Sequence, residues 1–231
     1  MRILAFETSA KAASVALTEN GQLLAESYQN TGLTHSQTLM TMAEHLLQTC
    51  GLTPADVEAV AVAAGPGSFT GVRIGVAAAK GFAWGRQIPC CGVSTLEAMA
   101  KNLGVHSGYV LPVMDARRSQ VYTALFYAEN GVLSRKMEDS ALSLQELSLQ
   151  VSGLDAPVYL VGDGSALCAR TLALANLVLP PEHRMHQRAA GVALAAEEQL
   201  AAGADADGAS LKPNYLRLSQ AERERLARDQ K

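Results

Sequence analysis

The sequence predicts a duplicated α/β protein made of two β-β-β-α-β-α units in series. Three observations carry that prediction. A Glu-Asn-Gly hairpin signal occurs twice, as Glu19-Asn20-Gly21 and Glu129-Asn130-Gly131, each time between the second and third strands of a unit. The first strand of each unit ends in an acid, Glu7 and Asp115. Glycines then separate the fourth strand from the following helix in both, as Gly65-Pro66-Gly67 and Gly162-Asp163-Gly164.

Ile3 to Phe6 and Ser14 to Thr18 read as buried strands, and the Asn20-Gly21 turn leads into a third, Leu23 to Tyr28. Ser36 to Cys50 carries Leu39, Met40, Ala43, Leu46, Leu47 and Cys50 on one helical face, with Gly51 as the stop. A strand over Val57 to Ala63, a helix over Thr70 to Trp84, a short strand over Ile88 to Cys91 and a helix over Ser94 to Asn102 close the first unit. The pattern restarts with strands over Tyr109 to Asp115, Gln120 to Tyr127 and Val132 to Met137. A helix near Leu142 to Gln150, a strand over Val158 to Val161 and a helix over Ser165 to Ala175 follow. The helix expected over Arg188 to Ala202 extends the second lobe, and Ala204 to Ser210 is a small polar connector. The expected organisation is a first lobe over 1–103, a second over 104–218 and a charged tail over 219–231.

A chain of 231 residues, 48% apolar, has material for two lobes with real cores. No stretch approaches the ~20 apolar residues of a membrane span, and Met1-Arg2 runs straight into Ile3-Leu4-Ala5-Phe6, too short for a signal-peptide core. The expected location is the cytoplasm, without a membrane partner. Cys50, Cys90, Cys91 and Cys168 lack C-x-x-C spacing and read as buried free thiols. A net charge of -3 gives no overall field for a polyanion, so any RNA is expected to be gripped chiefly by another chain.

Two such units in series match the element order of the actin-like ATPase (ASKHA) superfold, whose lobes flank a nucleotide cleft. On that analogy Glu7, Thr8, Ser9, Asp115, Gly162 and Gly164 are candidate cleft residues, since strand-end carboxylates can hold hydrated magnesium and turn amides can hold phosphate. The bland alternative is that Glu7 caps a turn and that the glycines serve only a tight strand-to-helix connection. The Gly65 to Gly71 segment lacks the Lys of a Walker loop. Five scattered histidines give no metal-ligand pair, and no G-x-S-x-G elbow exists, so neither metal hydrolysis nor a serine hydrolase is supported. No catalytic residue and no metal ligand is assigned.

Thr70 to Trp84 is the most informative helix, because Val72, Ile74, Val76, Ala77, Ala78, Phe82, Ala83 and Trp84 surround it and only Arg73 and Lys80 interrupt. A lobe of this size normally covers one side of a helix, so the expectation is a docking surface for another protein. Gly71, Gly75 and Ala79 are expected to form the groove for close helix approach, and the candidate partner-binding residues are Leu39, Met42, Leu46, Gly71, Ile74, Gly75, Ala78 and Phe82. A helix sandwiched wholly within its own protein is the competing reading.

Four spaced motifs resemble one family: Phe6-Glu7-Thr8-Ser9; Ala64-Gly65-Pro66-Gly67-Ser68-Phe69-Thr70-Gly71-Val72-Arg73; Met114-Asp115-Ala116-Arg117-Arg118 with Gln120-Val121-Tyr122; and Pro213-x-Tyr215-Leu216-Arg217. They look like TsaB, also called YeaZ. The resemblance implies a companion subunit of the machinery that makes threonylcarbamoyladenosine beside the anticodon of tRNAs reading codons that begin with A. It implies binding to TsaD, which transfers the threonylcarbamoyl group from threonylcarbamoyl-AMP, and a complex with TsaE, with tRNA met through the complex. It also implies no catalysis by this chain, since the stretch matching the metal-binding histidine pair of TsaD reads Thr95-Leu96-Glu97-Ala98-Met99. No cofactor is assigned to this chain, and ATP or ADP is an option for the complex. The competing functions are an actin-like ATPase or phosphotransferase, a metallopeptidase-like protein, and a homodimer that uses the same helix face in isolation.

Overall fold

The computed structural model describes residues 1–172 and 174–217; the charged tail expected over 219–231 lies outside them. Two five-stranded sheets share one topology. The first has β1 (Arg2–Glu7), β2 (Ala13–Glu19), β3 (Gln22–Gln29), β4 (Ala59–Gly65) and β5 (Cys90–Ser94) in the order β3-β2-β1-β4-β5. The second has β6 (Gly108–Asp115), β7 (Gln120–Glu129), β8 (Val132–Ser143), β9 (Val158–Val161) and β10 (Leu177–Val178) in the equivalent order, β8-β7-β6-β9-β10. In each, the first three strands are antiparallel and the fourth and fifth parallel to the first. This is the duplicated actin-like α/β fold.

Alternation along the strands sends each sheet's residues to two cores. Leu4, Phe6, Val15, Leu17, Val60 and Val62 face α1 (His35–Thr49) and α2 (Phe69–Arg86). Ile3, Ala5, Ala16, Ala59, Ala61 and Ala63 face the other way, against the alanine-rich α6 (Ala189–Ala201). Small residues on both sides let that helix lie close to the sheet. In the second half, Leu111, Val113, Val121 and Leu160 pack on α4 (Leu144–Val151) and α5 (Ser165–Thr171). Val110, Met114, Ala124 and Phe126 pack on α3 (Thr95–Leu103).

The covering helices are therefore exchanged. α3, from the first half of the chain, covers the second sheet, and α6, from the second half, covers the first. The helix expected to extend the second lobe thus belongs to the core of the first. The two helices touch at Gly191, where an added Cβ would lie 2.0 Å from the carbonyl oxygen of Ala98. Lys101 Nζ meets Glu198 Oε2 at 2.6 Å across the same contact. At the start of α6, Glu26 Oε1 accepts the Ala190 N–H at 3.2 Å and its Oε2 accepts two Arg188 N–H groups at 2.9 and 2.6 Å.

The connector after α6 is a strap along the first lobe. Its Ala206 carbonyl accepts the Cys90 N–H at 2.8 Å, Lys80 Nζ donates to the Leu211 carbonyl at 3.0 Å, and the Asn214 N–H donates to the Ala64 carbonyl at 2.6 Å. The open edge of β5 is thereby covered, which removes a strand edge that would otherwise pair with other chains. Other elements depart from expectation mainly at their ends. β8 runs on to Ser143, because Asp139 is held by Ser94 Oγ at 2.5 Å and by Arg135 Nη1 at 2.6 Å, so its polar stretch stays paired. α5 stops at Thr171, and the two-residue β10 was not anticipated. Cys90, Cys91 and Cys168 are buried free thiols, and burial raises the first two to about 11 and the third to about 12.

Candidate functional site

The two lobes enclose a cleft of about 770 Å³. Its first-lobe wall comes from the β1–β2 turn and the N-terminus of α2, and its second-lobe wall from the β6–β7 turn and Asp163, with Asn214 to Arg217 of the strap across it. Ser68 caps α2 by accepting the Gly71 N–H at 3.3 Å.

The glycine turn is there for packing. A Cβ on Gly67 would sit 2.5 Å from the Ser9 carbonyl oxygen, one on Gly71 2.1 Å from that of Thr8, and one on Gly75 2.3 Å from Thr8 Oγ1. Gly65 and Gly162 occupy equivalent strand ends with φ of 118° and 114°, a region open to glycine. Gly162 and Gly164 press on the backbone of β6 and do not line the cleft.

The matched acids play the same local part. Glu7 Oε1 accepts the Ser9 N–H at 2.6 Å, and Asp115 Oδ1 accepts the Arg117 N–H at 2.7 Å, each closing a turn two residues on. Their surroundings differ. Asp115 is exposed in the cleft, whereas Glu7 is 1% exposed and lies beneath it with Oε2 unpartnered. Burial raises the Glu7 carboxyl to about 7, against the lowering effect of its bonds to Ser9 and Thr8. Thr8 is also wholly buried, donating from Oγ1 to the Gly71 carbonyl at 2.8 Å. The expectation of two acids facing one cleft is thus corrected: of the six candidate cleft residues, Ser9 and Asp115 line it. Among the described residues, no group of three His, Cys, Asp or Glu side chains could hold a metal ion.

Sequence reasoning overlooked Lys11 and gave no place to Phe69, Tyr215 and Arg217. Phe69 and Tyr215 stack with centroids 4.4 Å apart, and Arg73 lies over Phe69 at 3.9 Å while donating from Nε to the Tyr215 hydroxyl at 2.7 Å. Arg217 donates to the Ala116 carbonyl of the opposite lobe. The Pro-x-Tyr-Leu-Arg run was the available signal, but a sequence does not say which strand edge a strap follows.

The helix face also needs correction. Leu39, Met42, Leu46, Gly71 and Gly75 are buried in the chain's own core. The small-residue row Gly71-Gly75-Ala79 faces β1 and β4, not a partner. Ile74, Ala78 and Phe82 are half-buried, and beside them a second small-residue row, Ala77, Gly81 and Gly85, faces outward. Trp84 is 85% exposed and Met40, on α1, 45% exposed. No helix among the described residues is long and apolar enough to cross a membrane.

The family model described as "TsaD: tRNA N6-adenosine threonylcarbamoyltransferase" matches residues 29–225. A Bacillus subtilis protein named "tRNA threonylcarbamoyladenosine biosynthesis protein TsaB" is 36% identical over 225 residues, covering 96% of each chain. The chain belongs to the TsaD family, in its TsaB branch. The Escherichia coli TsaB is 37% identical over 167 residues, 71% of this chain and 72% of its own. Two solved structures from Pseudomonas aeruginosa, one of YeaZ and the other of a protein similar to peptidase YeaZ, superpose with TM-scores of 0.80 and 0.83 at 27% identity. They cover 93% and 94% of this chain and 99% of their own. The Nitratidesulfovibrio vulgaris "tRNA N6-adenosine threonylcarbamoyltransferase" is 33% identical over 111 residues, 46% of this chain and 31% of its own.

Proposed function

We propose that this chain is a cytoplasmic, non-catalytic subunit required for forming threonylcarbamoyladenosine beside the anticodon of tRNAs that read codons starting with A. It binds and supports TsaD, which transfers the threonylcarbamoyl group from threonylcarbamoyl-AMP, and acts in a complex with TsaE. The observation that carries the reading, beside family membership, is the outward face of α2. Ala77, Gly81, Trp84 and Gly85 are exposed there with Ile74, Ala78 and Phe82 half-buried at their side. A helix that shows a partner both a large aromatic ring and a row of small residues can take another helix at close range.

The non-catalytic part rests on Thr95 and Met99. They stand in the stretch that, by resemblance, holds the metal-binding histidines of TsaD, and both are buried, with the Met99 methyl 2.5 Å from where a Cβ on Gly162 would be. A hydroxyl and a packed thioether cannot replace two imidazoles. In isolation the same α2 face serves a homodimer, which TsaD displaces.

The test is reconstitution of tRNA modification from purified TsaD and TsaE supplied with threonylcarbamoyl-AMP and tRNA, with and without this chain. Modified adenosine should form with all components and fall to background when either this chain or TsaD is left out. Full activity without this chain, or modification by this chain without TsaD, would overturn the reading.

A further inference from the structure

The chain has a net charge of -3, yet the cleft between its lobes is positive. Lys11, Arg117, Arg118 and Arg217 line it against two carboxylates, Asp115 and Asp163. Among the described residues none of those four cations is in an ion pair, whereas Arg2, Lys101, Arg135 and Arg188 each have a carboxylate at 2.6 to 3.0 Å. One oxygen of Asp115 is taken by the Arg117 N–H. The loop presenting the two arginines is held in an unusual shape, with Arg117, Arg118 and Ser119 at φ of 63°, 56° and 55°. Each such residue costs on the order of 1–2 kcal/mol relative to ordinary backbone. In the opposite wall Ser9 lines the cleft, its hydroxyl beside the buried Glu7 carboxyl.

We propose that the cleft is a phosphate site that receives the sugar-phosphate backbone of an RNA, held by Arg117 and Arg118 with Lys11 and Arg217. Phosphate oxygens accept from the guanidinium groups directly and supply the charge the cations lack. The choice of RNA rests on the tRNA-modification reading above; the anion site does not. The low overall charge makes such contact local, so it is weak and strongly salt-dependent.

The test is fluorescence anisotropy of a labelled anticodon stem-loop RNA with the full chain across a salt series. Inorganic phosphate and ADP, each with and without magnesium, serve as competitors. The variant is Arg117→Asn with Arg118→Asn, since asparagine removes the charge and tolerates the left-handed backbone. Arg217→Gln probes the site from the strap, and Arg170→Asn on α5 is the control. Binding should weaken about tenfold or more in the double variant and less in Arg217→Gln, with a shallower salt slope, near-native melting and no change in the control. Equal binding by the double variant, an equal loss in the control, or displacement by ADP at concentrations where inorganic phosphate has no effect would overturn the proposal. The last result would mark a nucleotide pocket. As TsaD is absent from the assay, a failure here leaves the docking reading intact, and a chain that binds RNA but not TsaD would sink only that reading.

Discussion

Glu7 and Gly75 show how single residues serve the fold beneath the cleft. Because burial holds the Glu7 carboxyl protonated to about pH 7, the unfolded chain ionises first as pH rises from the ordinary carboxylate value. The folded state then loses stability between roughly pH 4.5 and 7, with no further loss from this group above that window. Glu7→Gln keeps an oxygen for the Ser9 N–H and removes the ionisation, so it should stabilise the protein at pH 8 by about 2–3 kcal/mol and change little at pH 4. Urea denaturation at both pH values reads this; equal effects at the two would contradict it. Gly75→Arg is a different matter. Its Cβ alone would meet Thr8 Oγ1 at 2.3 Å, so the substitution should cost about 3 kcal/mol or more, seen as a lowered thermal midpoint. A loss of partner binding in that variant would therefore report damage to the lobe.

Among the elements, α6 depends on one side chain from β3. The Glu26 side chain, 7% exposed, caps α6 through the Ala190 N–H and pairs with Arg188. Glu26→Ala should destabilise by about 2 kcal/mol, allowing for the partial exposure of Arg188, and a loss under about 0.5 kcal/mol in chemical denaturation would count against that role. The alternating strands, the two Asn-Gly hairpins and the long helices were legible in the sequence because their signals are local periodicities and turn residues. The over-apolar α2 was legible too, but the assignment of its rows was not. Gly71-Gly75-Ala79 and Ala77-Gly81-Gly85 have the same four-residue spacing, and only the approach of Thr8 to the first row tells inward from outward. The cleft was misread for the same reason. Glu7 and Asp115 are equivalent in sequence order and close equivalent turns, yet one is buried and the other is open to the cleft. The strap leaves no periodic signal, since its hold is by backbone carbonyls and the Phe69–Tyr215 stack.

At the scale of the molecule, the exchange of α3 and α6 ties the halves together. The first sheet has its small-residue face covered by a helix from the second half, and the second sheet is covered by α3 in return. Neither half should fold alone. Fragment 1–103 is expected to be aggregated or to lack a cooperative transition, and co-expression with the remainder should recover soluble complex. Cooperative unfolding of the isolated fragment, measured by circular dichroism, would contradict the exchange. The central claim, that the outward face of α2 docks TsaD, is tested most directly by size-exclusion chromatography with light scattering on this chain mixed with TsaD. Wild type is compared with Gly81→Arg. Gly81 is exposed with open space around its Cβ position, and Gly→Arg within a helix should be neutral or stabilising, so the variant stays folded. The account predicts a heterodimer for wild type and separate peaks for a fully folded Gly81→Arg; a heterodimer of equal stability with both would contradict it.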